Sequence, residues 1–556
     1  MSRLGLTLAC LVAGVVTPVR ADLPPLIPRT ALLGNPQRLS PAVAPDGRRL
    51  AYIAPSEAGV LNVWTSSLSG TEAKMVTNDT TRGIFFFAWA EDGDHILYLQ
   101  DQGGDENNHV YSADLKTGVV RDLTPFAGIG AHDLMTDRDH PGEILVGLNL
   151  RDRKVFDMHR IDLATGAVRL DTTNPGDVIG WLADSSFAIR GAVAVSPVDA
   201  STILRVRAGA DAAWRDTFTW PMEESETAVV VGFSGDGKEV YLESSKGSDA
   251  TRLVRIDASN GQEKGLLAAV PDNDIWNLLG GASLLRQAVT VVHPRTKAVQ
   301  AVAFNYLKPT WKVLDESIRK DFEILEGMKK GVFQIVSRDG ADAKWIVLFY
   351  SDEDPGTYYF FDRAAGRASL LFSIQPELAG LTLAHQEPRV IEARDGMKIP
   401  IYVTLPPGIE PRRLPMVLLA HGGPWYRDEW GFDPTVQMLA NRGYAVIQVN
   451  FRGSTGLGKR HLNAGTGQWG VGSMQHDLSD AVAWAIREGI ADPKRVGIMG
   501  GSYGGYATLA GLAFTPELYA CGVDIVGPSN VKTLFESFPP YWGPRKRRWI
   551  LRVGDV

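Results

Sequence analysis

The sequence is organised around residues Arg495 to Ala507, which run Arg-Val-Gly-Ile-Met-Gly-Gly-Ser-Tyr-Gly-Gly-Tyr-Ala. An apolar, strand-like run leads into Gly-x-Ser-x-Gly, and the Ala-Thr-Leu-Ala-Gly-Leu that comes next is typical of a helix. This order of strand, sharp turn and helix predicts a nucleophile elbow. Gly500, Gly504 and Gly505 fit that geometry, because the turn leaves no space for a Cβ near the serine and the helix must pass close to the strand.

Ser502 is the candidate nucleophile of this elbow. At the top of a sheet its Oγ can reach a carbonyl carbon, while the backbone N–H of Tyr503 points at the oxyanion that develops. A bare Gly-x-Ser-x-Gly often occurs by chance, but the flanking strand and helix favour the functional interpretation. This chemistry needs only side chains and backbone amides, so no cofactor is predicted.

Residues 1–21 predict a secretory signal peptide. Arg3 precedes an apolar run, and Val19 and Ala21 are small residues at the positions that precede a cleavage site. The run is too short to span a bilayer, and no later segment approaches the length of a membrane helix. We therefore expect export to the periplasm or the medium, with no integral membrane segment once the signal is removed.

The composition predicts a globular chain with two large domains. Of 556 residues, 44% are hydrophobic and 22% are charged, which is enough to bury more than one sizeable core. The formal net charge is −7 and the isoelectric point is near 5.9, so nothing indicates a nucleic-acid partner. Cys10 lies in the predicted signal, and Cys521, in an apolar run, is expected to be a buried structural thiol.

A loose repeat with a period of roughly fifty residues occupies the region from about residue 35 to 380. Its first phrase is an Asp-Gly turn that leads into a strand, as in Pro45 to Tyr52, Glu91 to Tyr98 and Gly235 to Tyr241. Its second phrase is a strand that ends in aspartate before a turn, at Asp114, Asp162, Asp257 and Asp362.

This period is typical of propeller blades with four strands each, and about seven units fit into the region. Because each blade buries its faces only against its neighbours, the ring must close to be stable. We predict an all-β seven-bladed propeller domain over residues 22–385, with an N-terminal lead-in. A run of hairpins that does not close is the alternative.

Two acidic groups in this domain could hold the amino terminus of a substrate. One is the loop from Gly104 to Asn107, and the other is the pair Glu223 and Glu224. Solvated loop carboxylates are the alternative interpretation of both groups. No metal site is predicted, because metal-ligand spacing is absent around the lone histidines His132, His140 and His159.

The sequence changes character after residue 385. An opening hairpin is followed by strands that alternate with helices: a buried strand from Met416, a helix from Phe432, a strand from Tyr444 and a helix from His476 that leads to the elbow. Such alternation predicts a mostly parallel sheet covered on both faces. We assign residues 386–556 to an α/β-hydrolase domain.

Two loops follow strands of this predicted sheet and could serve the site. His421-Gly422-Gly423-Pro424-Trp425 can supply a second oxyanion donor from the backbone N–H of Gly423, although an ordinary glycine turn is the alternative. Arg452 lies in Asn-Phe-Arg-Gly-Ser-Thr-Gly after the next strand, at the edge where open α/β sheets bind ligands. Its side chain could anchor a substrate carbonyl or brace the loop.

These motifs together resemble the prolyl oligopeptidase family of serine peptidases, and most of all its bacterial acylaminoacyl-peptidase and dipeptidyl-aminopeptidase-like branch. The resemblance covers nearly the whole mature chain and is most specific in the hydrolase part. It implies a seven-bladed propeller that restricts access to a central cavity, so that short peptides are the substrates. It also implies Ser502 as nucleophile and Tyr503 and Gly423 as oxyanion donors.

The sequence departs from this family where the acid and base of a catalytic triad are expected. The family order is serine, acid, histidine, yet no histidine follows Ser502 and the last one in the sequence is His476. None of the later carboxylates matches the family acid: Glu517, Asp524, Glu536 and Asp555.

Because a serine hydroxyl needs a proton acceptor, we expect a hydrolase domain that is incomplete at its C-terminal end and has little or no activity alone. His421 is the nearest candidate for a substitute base, although the family uses that position for architecture. A non-catalytic peptide-binding protein and an esterase on the same scaffold remain alternative functions. The basic cluster from Arg545 to Arg548 is interpreted as a solvated surface.

Overall fold

The structure is a computed structural model that describes residues 22–278 and 287–555. The predicted signal peptide, residues 1–21, lies outside the described residues. Within the described ranges no helix has both the length and the apolar character needed to cross a membrane.

Seven antiparallel sheets follow one another along the chain and form the blades of a β-propeller, as predicted. Blades one to three contain β1 (Leu39–Val43), β2 (Arg49–Pro55), β3 (Leu61–Ser67), β4 (Lys74–Met75), β5 (Phe87–Trp89), β6 (His95–Gln100), β7 (His109–Asp114), β8 (Val120–Asp122), β9 (Ala131–Met135), β10 (Glu143–Leu148), β11 (Asp157–Asp162) and β12 (Val168–Thr172). Blades four and five contain β13 (Val178–Ala183), β14 (Ile189–Val195), β15 (Thr202–Val206), β16 (Arg215–Trp220), β17 (Val230–Phe233), β18 (Glu239–Ser244), β19 (Arg252–Asp257) and β20 (Glu263–Ala268).

The sixth blade differs from the others because its main sheet has three strands. A short pair, β21 (Asn277–Leu278) and β22 (Gln287–Ala288), precedes β23 (Thr290–Val292), β24 (Val299–Asn305) and β25 (Pro309–Val313). Blade seven contains β26 (Val332–Arg338), β27 (Lys344–Ser351), β28 (Asp354–Asp362) and β29 (Arg367–Ser373). Two α-helices accompany this half of the chain, α1 (Arg29–Leu33) and α2 (Arg319–Met328), together with 3-10 turns at Met222–Thr227, Glu316–Ile318 and Pro376–Leu378.

The two repeated phrases of the sequence occupy equivalent hairpin turns in successive blades. In the first phrase the glycine takes a positive φ, 69° at Gly47, 71° at Gly93 and 65° at Gly237, which a side chain would oppose. In the second phrase the aspartate carboxylate accepts turn N–H groups, as from Lys116 to Asp114 at 2.8 Å. The period of about fifty residues in the sequence therefore corresponds to the blades of the propeller.

The ring closes by direct contact between the first and seventh blades. Ser337 Oγ accepts the N–H of Val43 at 3.0 Å, and the N–H of Gly340 donates to the carbonyl of Pro45 at 3.0 Å. The ammonium group of Lys344 donates to the carbonyl of Gly47 at 2.6 Å. The alternative of hairpins that do not close is therefore wrong.

The second half of the chain builds a six-stranded sheet in the order β30-β31-β33-β32-β34-β35. Its strands are β30 (Gln386–Glu392), β31 (Lys398–Thr404), β32 (Leu414–Ala420), β33 (Ala445–Val449), β34 (Ala491–Gly501) and β35 (Cys521–Ile525). Strands β33, β32, β34 and β35 are parallel neighbours, and β30 and β31 form the opening hairpin. The helices are α3 (Pro434–Asn441), α4 (Lys459–Asn463), α5 (Ser473–Arg487), α6 (Tyr503–Phe514), α7 (Val531–Glu536) and α8 (Gly543–Val553), with a 3-10 turn at Pro540–Trp542.

The N-terminal lead-in contacts the hydrolase domain, although the sequence assigned it to the propeller. The N–H of Ile27 donates to Asn441 Oδ1 at 2.8 Å, and Asn441 Nδ2 donates to the carbonyl of Pro25 at 3.1 Å. Ile27 and Leu32 are buried in one cluster with Leu378, which follows the last blade. The lead-in therefore ties the two domains together.

Cys521 is exposed, so the expectation of a buried thiol is wrong. It begins β35, which lies at the edge of the hydrolase sheet. Three apolar side chains at the end of this strand are also exposed: Val523, Ile525 and Val526.

The buried indole of Trp345 is predicted to be a main support of blade seven. Its Nε1 donates to Asp342 Oδ1 at 2.8 Å, and the guanidinium of Arg363 lies 4.7 Å from the ring centroid. Trp345→Ala should lower the free energy of unfolding by about 3 to 5 kcal/mol, measured by urea denaturation. Leu370→Ala in the same blade, where the side chain is 64% exposed, should change it by less than about 0.5 kcal/mol. Equal effects would contradict this assignment.

Candidate active site

Ser502 stands alone between β34, which ends at Gly501, and α6, which begins at Tyr503. Its φ of 54° and ψ of −119° lie in a region that non-glycine residues rarely adopt. Its N–H donates to the carbonyl of Ile525 at 2.9 Å, and its own carbonyl accepts the N–H of Tyr506 at 3.1 Å. These bonds fix the backbone on both sides, while the residue remains exposed. This is the geometry of a nucleophile elbow.

The glycines around Ser502 are required by close backbone approaches. A Cβ at Gly504 would lie 2.0 Å from the carbonyl oxygen of Ala420, at the end of β32. A Cβ at Gly500 would lie 2.4 Å from the backbone of Gly504, and one at Gly505 would lie 2.2 Å from Asp524 Oδ1. No side chain fits in any of these places, so α6 can approach the sheet only with glycine.

The loop after β32 lies against Ser502. A Cβ at Gly422 would be 3.4 Å from the Cβ of Ser502 and 3.2 Å from the carbonyl oxygen of Gly501. Gly423 follows with a φ of 120°, a conformation that other residues rarely adopt. Tyr503 is the first residue of α6, where backbone N–H groups lack intrahelical acceptors. The structure thus brings Ser502, Tyr503 and the Gly422–Gly423 loop into one place.

His421 supports the loop and does not face Ser502. The carbonyl of Gly422 lies 2.8 Å from Nδ1, and since a carbonyl only accepts, Nδ1 carries the proton. Nε2 lies 2.8 Å from Ser454 Oγ, whose one proton is shared with the carbonyl of Phe451 at 2.7 Å, and the ring stacks on Phe451 with centroids 4.3 Å apart. Burial lowers the pKa of His421 to about 4, so the imidazole is neutral near pH 7.

The other histidines near this loop are also engaged. His461 is buried, its Nε2 lies 3.0 Å from the carbonyl of Phe451, and burial lowers its pKa to about 4. His476 lies on α5, with no hydrogen bond to Ser502 within the described ranges. Within the described ranges, none of these three histidines therefore forms a hydrogen bond with the Ser502 hydroxyl.

Arg452 braces the loop after β33. Its Nε and Nη2 donate to the carboxylate of Asp477 at 2.8 and 2.6 Å, and its Nη1 and Nη2 donate to Asp395 at 2.7 and 3.1 Å. Arg452 is buried, with 6% of its surface exposed. Because the guanidinium is bound by both carboxylates, the structure favours the interpretation that Arg452 braces the loop over the one in which it contacts a substrate.

A small cavity of about 50 Å³ lies between the propeller and the hydrolase domain, beside the Gly422–Gly423 loop. Tyr426 forms its wall on the hydrolase side, only three residues after Gly423. Carboxylates from both domains line it: Glu226, Asp274 and Glu429. Burial raises the pKa of Asp274 and of Glu429.

The same cavity contains acceptor atoms that lack a donor. Within the described ranges, the buried Oδ1 atoms of Asn277 and Asn305 have no hydrogen-bond partner. Glu429 Oε1 accepts from Trp276 Nε1 at 2.8 Å and from Asn305 Nδ2 at 3.2 Å. Arg427 also lines the cavity but donates to the carbonyls of Asn305 and Tyr306, and the remaining carboxylates and amide oxygens favour a ligand that donates hydrogen bonds.

The acidic segment Met222–Thr227 is only partly the solvated surface that one alternative predicted. Glu224 is buried and pairs with Lys459 of the hydrolase domain at 2.9 Å, whereas Glu223 is exposed. Sequence reasoning missed Glu226, which lines the cavity. The other acidic group, around Asp105, is exposed and accepts N–H groups of its own loop, as from Asn107 at 3.1 Å.

The basic cluster from Arg545 to Arg548 is only partly the solvated surface that the sequence predicts, because Lys546 and Arg547 are exposed whereas Arg548 is not. Arg548 is buried, lies 3.6 Å from Glu226, and donates to Thr202 Oγ1 at 2.7 Å. Arg552, one turn later on α8, is also buried and donates to the carbonyl of Met222 at 2.9 Å. These two side chains fasten α8 to the propeller beside the cavity.

Aromatic side chains cover the region between the loop after β32 and helix α6. Trp549 of α8 lies 4.7 Å from Trp425 of this loop, as measured between ring centroids. Trp469 lies 4.7 Å from Tyr503 and 5.1 Å from Tyr506. This side of the site is therefore apolar and suited to carbon-rich groups.

One group of possible metal ligands lies at the junction of the domains. Atoms of Asp352, Glu353 and His385 come within 4.8 Å of one another, and His385 Nδ1 is 2.5 Å from Asp352 Oδ2. The group contains none of the residues at the elbow, so the chemistry at Ser502 does not use it.

Comparison with known sequences identifies relatives that are all named as peptidases. The profile described as "Prolyl oligopeptidase family" matches residues 430–549. Dipeptidyl aminopeptidase BIII of Pseudoxanthomonas mexicana is 43% identical over 95% of this chain and 76% of its own length. Dipeptidyl peptidase family member 6 of Caenorhabditis elegans is 33% identical over 95% of this chain and 74% of its own length.

Comparison with solved structures agrees on the fold. A crystal structure of puromycin hydrolase has a TM-score of 0.74 at 19% identity and covers 97% of this chain and 85% of that chain. The acylaminoacyl peptidase of Pyrococcus horikoshii has a TM-score of 0.62 at 16% identity and covers 95% of this chain and 83% of that chain. The arrangement of a propeller with a hydrolase sheet is thus shared with both.

Gly504→Ala is predicted to disrupt the elbow, because the new Cβ would overlap the carbonyl of Ala420. We expect the free energy of unfolding to fall by about 3 kcal/mol or more, measured by urea denaturation. Gly501→Ala is the matched control, since its Cβ would lie 3.9 Å from the nearest atom, the carbonyl oxygen of Ile525. If both variants are equally stable, close packing does not explain the glycine.

His421 is predicted to make stability depend on pH. Its folded pKa, about 4, is below the unfolded value near 6.5, so the unfolded chain binds the proton first as pH falls. Its contribution is complete above about pH 6.5 and is lost towards pH 4.

The measurement compares the wild-type protein with His421→Gln by urea denaturation at about pH 7.5 and about pH 5. The wild-type protein should lose about 2 kcal/mol more than the variant between these values. A pH-independent difference would show that His421 is not held neutral by burial.

Proposed function

Because this chain belongs to the prolyl oligopeptidase family of serine peptidases, we propose that it cleaves short peptides by acyl transfer to Ser502 and releases dipeptides from their amino terminus. Two relatives that match most of the chain carry the names dipeptidyl aminopeptidase and dipeptidyl peptidase. The observation that carries the proposal is the juxtaposition of an exposed serine elbow with an acceptor-lined cavity.

In the proposed first step, Ser502 Oγ attacks the carbonyl carbon of the scissile amide and its proton passes to a base. The carbonyl oxygen becomes an oxyanion, which the N–H groups of Tyr503 and Gly423 stabilise. The C–N bond then breaks, the amine leaves with a proton, and water later hydrolyses the ester on Ser502. Each preorganised donor of this kind contributes about 10²- to 10³-fold in rate.

The proton acceptor of this step is not among the described residues. His421 and His461 have their ring nitrogens engaged elsewhere, and both are held neutral in buried sites. Loss of a triad member typically lowers kcat by about 10⁴- to 10⁶-fold. We therefore expect that the site formed by the described residues binds peptides but, without an imidazole at Ser502, turns them over very slowly.

The cavity beside Tyr426 is proposed to take the amino terminus of the peptide. An ammonium group has three donors and one positive charge, which match the Oδ1 atoms of Asn277 and Asn305, and the carboxylate of Glu226 would be shared between this group and Arg548. The aromatic side chains around Trp549 would contact the apolar part of the substrate. A small closed cavity at one end limits how many residues precede the scissile bond.

The location of this activity is proposed to be outside the cytoplasm. The support is the charged, apolar and small-residue pattern of residues 1–21. A cleaved N terminus at Asp22 in the purified exported protein would agree with this proposal, and an intact N terminus would contradict it.

Removal of the Glu226 carboxylate is predicted to weaken binding of peptides with a free amino terminus. In the Ser502→Ala background, Glu226→Gln should raise the Kd of a free-amine tripeptide by about 10-fold, measured by calorimetry. The Kd of the same peptide acetylated at its amino terminus should not change. Glu223→Gln is the matched control, because Glu223 is exposed and does not line the cavity.

Two outcomes would contradict the proposal. Equal binding of free and acetylated peptides would exclude recognition of the amino terminus. Peptide hydrolysis that survives Ser502→Ala in the otherwise unchanged protein would exclude acyl transfer to Ser502.

A further inference from the structure

A second cleft, which we call the blade groove, lies between blades four and five of the propeller. It has a volume of about 330 Å³ and is lined by Arg190, Val206, Arg207, Arg215, Lys238 and Asp257, among others. This volume is within the range of small-molecule sites in proteins. The groove is therefore large enough for a ligand and not only for solvent.

Arg207 is the unusual member of this lining because it is buried and carboxylates, those of Asp171 and Asp211, attract its charge only from beyond ion-pair distance. The residue is 8% exposed, and its guanidinium lies 4.6 Å from the ring centroid of Trp214. Nε donates to the carbonyl of Ile189 at 2.7 Å and Nη2 donates to Thr172 Oγ1 at 2.7 Å. In the part of the chain that the structure describes, no residue accepts from Nη1 and no carboxylate comes within ion-pair distance.

Comparable arginines elsewhere in the propeller have carboxylate partners. Arg160 also lies on an aromatic ring, at 5.0 Å from the centroid of Phe187, but it pairs with Asp171 at 3.1 Å. Buried charges in proteins are normally paired, because removal from water is costly. Since Asp171 and Asp211 attract Arg207 only from beyond ion-pair distance, its guanidinium can still pair directly with an anion from outside.

The rest of the groove adds to this positive charge. Arg215 and Lys238 stand at the exposed rim, and Arg190 is paired with Asp184 at 3.1 Å. The lining thus contains four cationic side chains and one carboxylate, Asp257, in a chain whose formal net charge is −7. Positive potential concentrated in a cleft of an acidic protein attracts anions.

We propose that the blade groove binds a small molecule bearing a phosphate or carboxylate group, with its oxygens held by Arg207 and its charge balanced further by Arg215 and Lys238. A planar guanidinium with free donors matches either oxyanion. The apolar lining from Val206, Ala208 and Ala258 would contact the carbon part of such a molecule. The ligand class is therefore an organic oxyanion.

This site is separate from the peptide site. The hydrolase domain contacts the propeller through connections such as the one between β18 and β19, where Asp249 accepts the N–H of Arg460 at 2.8 Å. The groove is formed at the opposite ends of the same strands, by the turns at Lys238 and Ser259. A six-residue strand is about 20 Å long, so a groove ligand does not reach Ser502.

The test measures binding of inorganic phosphate and of acetate to the full chain by calorimetry, at constant ionic strength set with sodium chloride. We expect saturable binding of at least one of them, which identifies the preferred oxyanion. Arg207→Gln should weaken that binding by about 10-fold or more, because it removes a charged donor. Arg255→Gln, which removes an exposed arginine of blade five outside the groove, should leave it unchanged.

Because Arg207 is buried, its variant could unfold, and the rim provides a second test. Arg215→Gln together with Lys238→Gln changes only exposed side chains and should weaken binding by about 3- to 10-fold. Binding by Ser502→Ala should equal that of the wild-type protein, which separates this result from peptide hydrolysis. The proposal is overturned if neither anion binds beyond the chloride control, or if the rim variant binds as the wild-type protein does.

Discussion

The close approach of helix α6 to strand β32 is the constraint on which the site depends. With Gly504 directly against the carbonyl oxygen of Ala420, the helix can begin immediately after the strand and the connecting residue is forced to a φ of 54°. A residue held in such a conformation costs about 1 to 3 kcal/mol, which the surrounding sheet must offset. The buried strands β32 and β34 supply that support. In return the serine is presented outside the sheet with its backbone fixed.

The two domains meet through hydrogen bonds between hydrolase loops and propeller connections. Arg427, four residues after Gly423, donates to the carbonyls of Asn305 and Tyr306 at 2.9 and 2.5 Å. Asp274 accepts the N–H of Gly458 at 2.8 Å, and burial raises the pKa of this carboxyl. Because these contacts surround the cavity, the position of the blades relative to the elbow determines its shape. The propeller is therefore part of the site and not only a cover.

Much of the fold could be predicted because the residue types in a turn depend on the backbone conformation that the turn requires. An Asp-Gly pair needs a positive φ at the glycine, and Gly-x-Ser-x-Gly between a strand and a helix needs the close approach that Gly504 shows. The helix α2 was missed although its sequence, Arg-Lys-Asp-Phe-Glu-Ile-Leu-Glu-Gly-Met, buries Phe322 and Leu325 three residues apart. That signal was available and could have been found.

Other features could not be predicted, because they depend on which parts of the chain meet. Nothing in the local sequence shows that Arg548 is buried against Glu226, since the two lie in different domains. For the same reason Glu224 and Glu226 could not be distinguished from Glu223. The exposure of Cys521 depends on β35 being an edge strand, and an apolar stretch looks the same at an edge and in the centre of a sheet.

The attachment of the lead-in to α3 imposes an order of assembly on this protein. The blades require only residues up to Ser373, and their ring can close as soon as that part of the chain is available. The partner of Ile27 is Asn441, which arrives 414 residues later. The lead-in can therefore pack against Leu378 once the last blade is complete, but its hydrogen bonds to Asn441 form only after α3 is in place, so this attachment is completed last.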